Sequence, residues 1–136
     1  MTNELELTRI LFKDYESKIM SAAEAALLID NNSVVGSSGF TKAGDSKSVL
    51  PAFAKRAENE DVAITLITGA SLGYTTDADL ADNNALIRRM PFMADPALRK
   101  SINDYKLKYI DQHLSETIEQ LICGHIAPVD TAIIEA

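Results

Sequence analysis

The stretch Val62-Ala-Ile-Thr-Leu-Ile-Thr68 is apolar almost throughout, and Gly69-Ala-Ser-Leu-Gly73 follows it at once. A strand with both faces apolar must be buried on both faces, the condition of strands in a parallel sheet covered by helices on either side. The same order occurs earlier in the chain. Ser33-Val-Val-Gly-Ser37 is short and β-branched, and the small-residue stretch Ser38-Gly-Phe-Thr-Lys-Ala-Gly44 comes next. Two strands of this kind, each running through a glycine-bearing loop into a helical pattern, predict an α/β fold: a doubly wound, mostly parallel sheet with helices on both faces.

The remaining elements fit between these strands. Apolar spacing over Leu5–Met20 predicts a surface helix. Ser21-Ala-Ala-Glu24 has the form of a capping box, with a helix running to Ile29 and stopping at Asn31-Asn32. Asp45 or Ser46 is expected to cap the next helix, whose apolar face is Val49, Leu50, Phe53, Ala54 and Ala57, with Pro51 in its early turns. A helix is expected around Thr76–Asn83. Ala85–Phe92, which carries Arg88, Arg89 and Pro91, is assigned no element. Asp95-Pro96 opens a helix ending near Asn103. Lys108–Asp111 is read as a short strand, Ser115–Cys123 as a helix capped by Ser115, and Asp130–Ile134 as a last strand.

The chain has 136 residues, a net charge of −7, 46% hydrophobic residues and one cysteine. That length suits one domain, residues 1–136. The acidic balance speaks against nucleic acid as a partner, because phosphate sites concentrate Lys and Arg. A lone Cys123 excludes an intrachain disulfide and a cysteine-rich zinc site. With no run of about 18 apolar residues and no signal-like start, the chain is expected to be cytoplasmic and to have no membrane partner.

In doubly wound sheets, ligands sit beyond the carboxyl ends of the strands, where both glycine-bearing loops fall here. Small residues let a ligand approach, and successive N–H groups beside a helix start can hold an anion or a carbonyl oxygen. On composition alone a plain turn is the more common outcome. Neither loop is a dinucleotide or Walker fingerprint. Gly69-Ala-Ser-Leu-Gly73 does match G-x-S-x-G, which would make Ser71 a nucleophile with His113 or His125 as its base. No HGGG-type oxyanion loop accompanies it, so Ser71 is read instead as a helix cap or a ligand hydrogen-bond donor. His113 is read as scaffold. Arg88-Arg89 is either a contact to a phosphate or carboxylate or, the favoured reading, a solvated pair or a contact to a neighbouring domain. Glu135 could attack a thioester, yet little chain surrounds it to exclude water or supply oxyanion donors. No catalytic residue and no metal ligand is assigned.

Five strings, Ser38–Gly44, Leu66–Ser71, Arg88–Phe92, Tyr109–Ser115 and Val129–Ala136, together resemble the acetyl-CoA hydrolase/CoA-transferase family, in order and spacing from about Lys18 onward. The resemblance is to the amino-terminal portion of a succinyl-CoA:acetate CoA-transferase-like enzyme. It implies the Rossmann-like fold of the CoA-transferase superfamily, incomplete in this chain, and transfer of CoA between small carboxylic acids such as acetate, succinate and propionate, through a glutamyl-CoA intermediate. It also implies that the catalytic glutamate lies in a carboxyl-terminal half absent from this chain. Coenzyme A is then a substrate, with no tightly bound cofactor. The implied partners are an acyl-CoA and a small carboxylate, together with the missing half or a second copy. The implied substrate-binding residues are Ser38, Gly39, Phe40, Thr41 and Gly44 in the first loop, and Thr68, Gly69, Ala70 and Ser71 in the second. Lys42 and Ser46 depart from the family pattern, which often has Pro at each place. A non-catalytic, truncated or partner-dependent module is the alternative reading, and a small serine hydrolase built on Ser71 is a third.

Overall fold

The computed structural model describes residues 10–73 and 75–135. Its elements run α1 (Ala22–Leu27), β1 (Val34–Ser37), α2 (Val49–Ala57), β2 (Ile64–Ile67), α3 (Thr76–Asp82), β3 (Leu86–Met90), α4 (Pro96–Asn103), β4 (Lys108–Tyr109), α5 (Leu114–Ile122) and β5 (Thr131–Ile133). The five strands form one sheet in the order β4-β3-β2-β1-β5. Every pairing is parallel. This is the expected α/β architecture.

The strand order places the helices. From β1 to β4 the chain always moves one strand in the same direction, so right-handed crossovers put α2, α3 and α4 on one face of the sheet. From β4 it returns across the whole sheet to β5, and the same handedness puts α5 on the opposite face. Two separate cores follow. Val35, Leu50, Phe53, Ile64, Leu66, Leu80 and Leu98 belong to the larger one. Ile67, Met90 and Ile126 form the smaller, with Val34, Ile110 and Leu121 against them. Strand alternation divides them, since Ile64 and Leu66 point to one face and Ile67 to the other.

Local signals account for most boundaries. The Ser21 hydroxyl accepts from the Glu24 N–H, and the Glu24 carboxylate accepts from the Ser21 N–H at 2.8 Å, so the capping box forms. Asn32 takes a positive φ of 68° past the helix end. Asp95 accepts from the Leu98 N–H at 2.8 Å, and Pro96 opens α4. Arg56 ties α1 to α2 by donating to the carbonyls of Ala26 and Ile29.

Several expectations are corrected. Only part of Leu5–Met20 lies among the described residues, and from Ile10 onward it forms no α-helix but one 3-10 turn, Tyr15–Lys18, with Leu11 and Phe12 exposed. An apolar spacing with no core beneath it does not hold a helix. Neither Asp45 nor Ser46 caps α2; Ser48 precedes it without a side-chain cap, and both candidates are buried elsewhere. Ser115 lies inside α5, which starts one residue earlier, and its hydroxyl meets His113 Nδ1 at 2.8 Å. Ala85–Phe92 contains a central strand, β3. No helix among the described residues is long and apolar enough to cross a membrane.

Candidate functional site

The strands are parallel, so the loops after β1 and β2 leave from the same rim. They are bonded to each other there. The Gly39 carbonyl accepts from the N–H groups of both Gly69 (3.1 Å) and Ala70 (3.3 Å), and the Thr41 N–H donates to the Ser71 carbonyl at 2.9 Å. Thr41 and Leu72 pair as an isolated parallel bridge.

The glycines answer to this contact. A Cβ on Gly69 would lie 2.8 Å from the Gly39 carbonyl oxygen, and one on Gly73 would lie 2.8 Å from Asp45 Oδ2. Gly39 holds φ +138° and would press a Cβ to 2.7 Å from the Leu72 side chain. These three positions thus lack a side chain so that one loop can lie on the other. The N–H groups of Leu72 and Gly73 are also engaged, by Asp77 Oδ2 at 2.8 Å and Asp45 Oδ2 at 2.9 Å.

Two buried acids therefore brace the second loop from below. Asp77 shares its carboxylate between Leu72 and Arg89, whose guanidinium it meets at 3.1 Å. Arg89 also donates to the carbonyls of Ala70 and Met90. Burial drives the Asp77 carboxyl up from the ordinary aspartate range and the Arg89 guanidinium down, each opposed by the charge of the other. Arg89 is fully buried, which corrects the expectation of a solvated Arg88-Arg89 pair. A bulge does this: Ile64 pairs with Leu86 but Thr65 with Arg88, so β3 gains a residue and Arg89 faces the same side as Leu66, its Cα partner.

The nine residues expected in the site all lie on this rim, but in two groups. Thr68, Ala70 and Ser71 are buried. The Thr68 hydroxyl donates to the Ala70 carbonyl, and the Ser71 hydroxyl accepts from the Ala94 N–H, so Ser71 pins the loop after β3 and caps no helix. His113 and His125 are exposed and bond to neither Ser71 atom, so no nucleophile–base pair is assembled. Ser38, Gly39, Phe40, Thr41, Gly44 and Gly69 form the outer group, with Phe40 55% exposed.

The end of β5 closes on the first loop. The Ser38 N–H donates to the Ile133 carbonyl, and the Ser38 hydroxyl accepts from the Glu135 N–H at 2.9 Å while donating to the Gly44 carbonyl at 2.6 Å. Lys47 bridges Glu135 and Asp45, lying 3.7 Å from the latter. The Glu135 carboxylate thus has a cationic partner. Behind Ser38, on the second face of the sheet, a groove of about 720 Å³ is lined by Gly36, Phe40, Ile67, Ile118, Val129 and Ile134, among others. Among the described residues no cluster of three or more His, Cys, Asp or Glu side chains could hold a metal.

Sequence reasoning missed Asp77 and Lys47, named Asp45 only as a helix cap, and named Arg89 only as an anion contact or a solvated residue without its partner. The one available signal was negative: a charged pair inside an otherwise apolar run needs a partner if the run is a strand.

A family model for the acetyl-CoA hydrolase/transferase N-terminal domain matches residues 6–136. The chain belongs to the acetyl-CoA hydrolase/transferase family. Among its relatives, the propanoyl-CoA:succinate CoA transferase of Escherichia coli (strain K12) is 39% identical over 122 residues, covering 86% of this chain and 25% of the relative. The succinyl-CoA:acetate CoA-transferase of Clostridium kluyveri is 39% identical over 123 residues, covering 89% of this chain and 23% of the relative. An acetyl-CoA hydrolase of Yarrowia lipolytica is 32% identical over 94% of this chain and 27% of its own length. This member of the acetyl-CoA hydrolase/transferase family therefore spans about a quarter of the length of the curated relatives it matches. In fold it is similar to RipA from Yersinia pestis, with a TM-score of 0.64 at 21% identity, covering 88% of this chain and 29% of that one.

Proposed function

We propose that this chain forms the amino-terminal wall of the cleft of an acyl-CoA:carboxylate CoA-transferase, or of an acyl-CoA hydrolase in which water replaces the acceptor acid. The observation that carries the reading is the fusion of the loops after β1 and β2 into one rim, beside an apolar groove, in a member of this family. Phe40 and the outer residues Ser38, Gly39, Thr41, Gly44 and Gly69 face the acyl-CoA and the small acid, acetate, propionate or succinate. Thr68, Ala70 and Ser71 act from behind by holding the rim in place. The covalent step belongs to a glutamate in the family sequence downstream of the matched segment: its carboxylate attacks the thioester carbonyl and expels CoA thiolate, which returns to the glutamyl carbonyl and releases the first acid. Glu135 takes no part, because its carboxylate is paired with Lys47 and its own N–H is tied to Ser38.

The test is a CoA-transfer assay from acetyl-CoA to succinate, with intact-mass measurement of the chain. The chain alone is expected to give neither turnover nor a CoA adduct, and co-expression with the downstream portion of the Escherichia coli relative is expected to restore transfer. Turnover by the chain alone that disappears in Glu135→Gln or Ser71→Ala overturns the reading, as does an inactive co-expressed pair.

A further inference from the structure

Helix α4 closes on a residue that does not suit its place. The Lys106 N–H donates to the Ser101 carbonyl and the Tyr105 N–H to the Ile102 carbonyl, both at 3.0 Å, with Tyr105 in the left-handed region at φ +57°. Such helix ends favour glycine, because a side chain there crowds its own backbone. A packed ring would offset that strain, yet Tyr105 is 94% exposed. Folding alone gives no reason for a tyrosine here.

The ring borders a hollow of about 770 Å³ at the β4 edge of the sheet, lined also by Leu86, Ile102 and Leu107 and by Lys106 and Lys108. Small-molecule sites span about 300–1,000 Å³. Residues 99–108 carry Arg99, Lys100, Lys106 and Lys108 against Asp104, in a chain whose net charge is −7. Asp104 is bonded to Lys100, and among the described residues no carboxylate lies within ion-pair distance of Lys106 or Lys108. Lysines on an edge strand discourage pairing with another strand, but that role asks for no exposed aromatic ring beside them.

We propose that this hollow binds a nucleoside diphosphate group, with the base stacked on Tyr105 and the phosphates held by Lys106 and Lys108. Stacking uses an exposed ring and accepts any base, and ammonium groups bind phosphate as point charges. Leu86, Ile102 and Leu107 give the base an apolar surround. An acidic peptide fits less well: a strand added to an edge is held by main-chain bonds, and β4 offers it two residues, Lys108 and Tyr109. Leu86 opens β3 and Lys108 opens β4, so the hollow lies at the amino ends of the strands, away from the rim at their carboxyl ends. It therefore stands apart from the proposed cleft wall and does not depend on that role. Free nucleotide and coenzyme A both carry this group, and the test separates them.

The experiment titrates ADP, coenzyme A and inorganic pyrophosphate separately into the full chain, following the amide signals of residues 105–108 by NMR, beside urea unfolding. ADP should move these signals and leave those of Ser38–Gly44 in place. Tyr105→Gly should raise the urea midpoint, because the left-handed strain is removed, and still weaken ADP at least about tenfold, with pyrophosphate little changed. Lys106→Gln with Lys108→Gln should weaken ADP and pyrophosphate alike. Tighter binding of ADP than of coenzyme A would support a free nucleotide as the ligand, and the reverse would support the diphosphate of coenzyme A at the same site. No ADP response at millimolar concentration, a response confined to Ser38–Gly44, a urea midpoint lowered by Tyr105→Gly, or a response to a Glu-rich peptide where ADP gives none would each overturn the proposal.

Discussion

Asp77 and Arg89 form an ion pair in which neither side chain is more than 1% exposed, and both hold the same loop: Asp77 through the Leu72 N–H, Arg89 through the Ala70 carbonyl. Their energetics are lopsided. Assembling a buried pair gains little over a well-packed apolar one, but removing one partner strands a charge and costs about 3–5 kcal/mol. Arg89→Met should therefore destabilise the chain by about that much in urea unfolding. Asp77→Leu combined with Arg89→Met should cost clearly less than the two single changes summed, because no charge is then stranded. Recovery should be partial, since the Leu72 N–H still loses its acceptor. Strict additivity would mean that the pair is not coupled.

Contact between the loops, rather than backbone freedom alone, fixes the glycines, and two alanine substitutions separate these causes. At Gly69 the new methyl meets the Gly39 carbonyl at 2.8 Å, whereas at Gly44, with φ +63°, it meets nothing within 4 Å. Overpacking at Gly69 should cost about 1–3 kcal/mol, and the left-handed backbone at Gly44 about 1–2 kcal/mol. Totals that close do not discriminate, but hydrogen exchange does. Gly69→Ala should speed exchange of the Thr41 N–H, which bonds across the loops to Ser71, and Gly44→Ala should leave it slow. Equal acceleration in both variants would show that the loops are not braced against each other.

The capping box of α1 gives a prediction in pH. Hydrogen bonds from the Ser21 hydroxyl and N–H hold the Glu24 carboxyl below its ordinary value near 4.5. A carboxyl whose pKa is depressed by folding contributes stability above its unfolded pKa, and that contribution fades as pH falls through the folded value. Carbon-detected titration should thus find the Glu24 midpoint below 4.5, and Ser21→Ala should return it toward 4.5. A midpoint unmoved by Ser21→Ala would remove the Ser21 hydroxyl as the main cause.

The helices with chemical start signals were legible in the residues: Ser21 with Glu24, and Asp95 with Pro96, state their own hydrogen bonds within four positions. So were β1 and β2, the one short and β-branched and the other apolar throughout, each followed by a glycine-bearing loop. β3 was not, because its bulge defeats alternation and turns a charged residue inward, and the partner that makes this tolerable, Asp77, sits twelve residues away on α3. The rim was legible as two loops at strand ends. What those loops do with their polar groups was not, since Asp45, Asp77 and Ala94 reach them only through the folded chain. Composition favoured plain turns over a ligand cradle, and it did not show that Gly39, Gly69 and Gly73 are small because one loop lies on the other.

The join between β5 and the first loop rests on one hydroxyl more than on the nearby ion pair. Lys47 and Glu135 are 42% and 36% exposed, and pairs that open to water contribute at most about 1 kcal/mol. Ser38, in contrast, accepts from the Glu135 N–H and donates to the Gly44 carbonyl, and each such bond contributes about 0.5–1.5 kcal/mol. Ser38→Ala removes both at once and leaves the Glu135 N–H to solvent, whereas Lys47→Met leaves both bonds in place. Amide exchange at Glu135 should therefore accelerate several-fold in Ser38→Ala and change little in Lys47→Met. If Lys47→Met matched or exceeded Ser38→Ala, the ion pair rather than the hydroxyl would be holding the last strand to the rim.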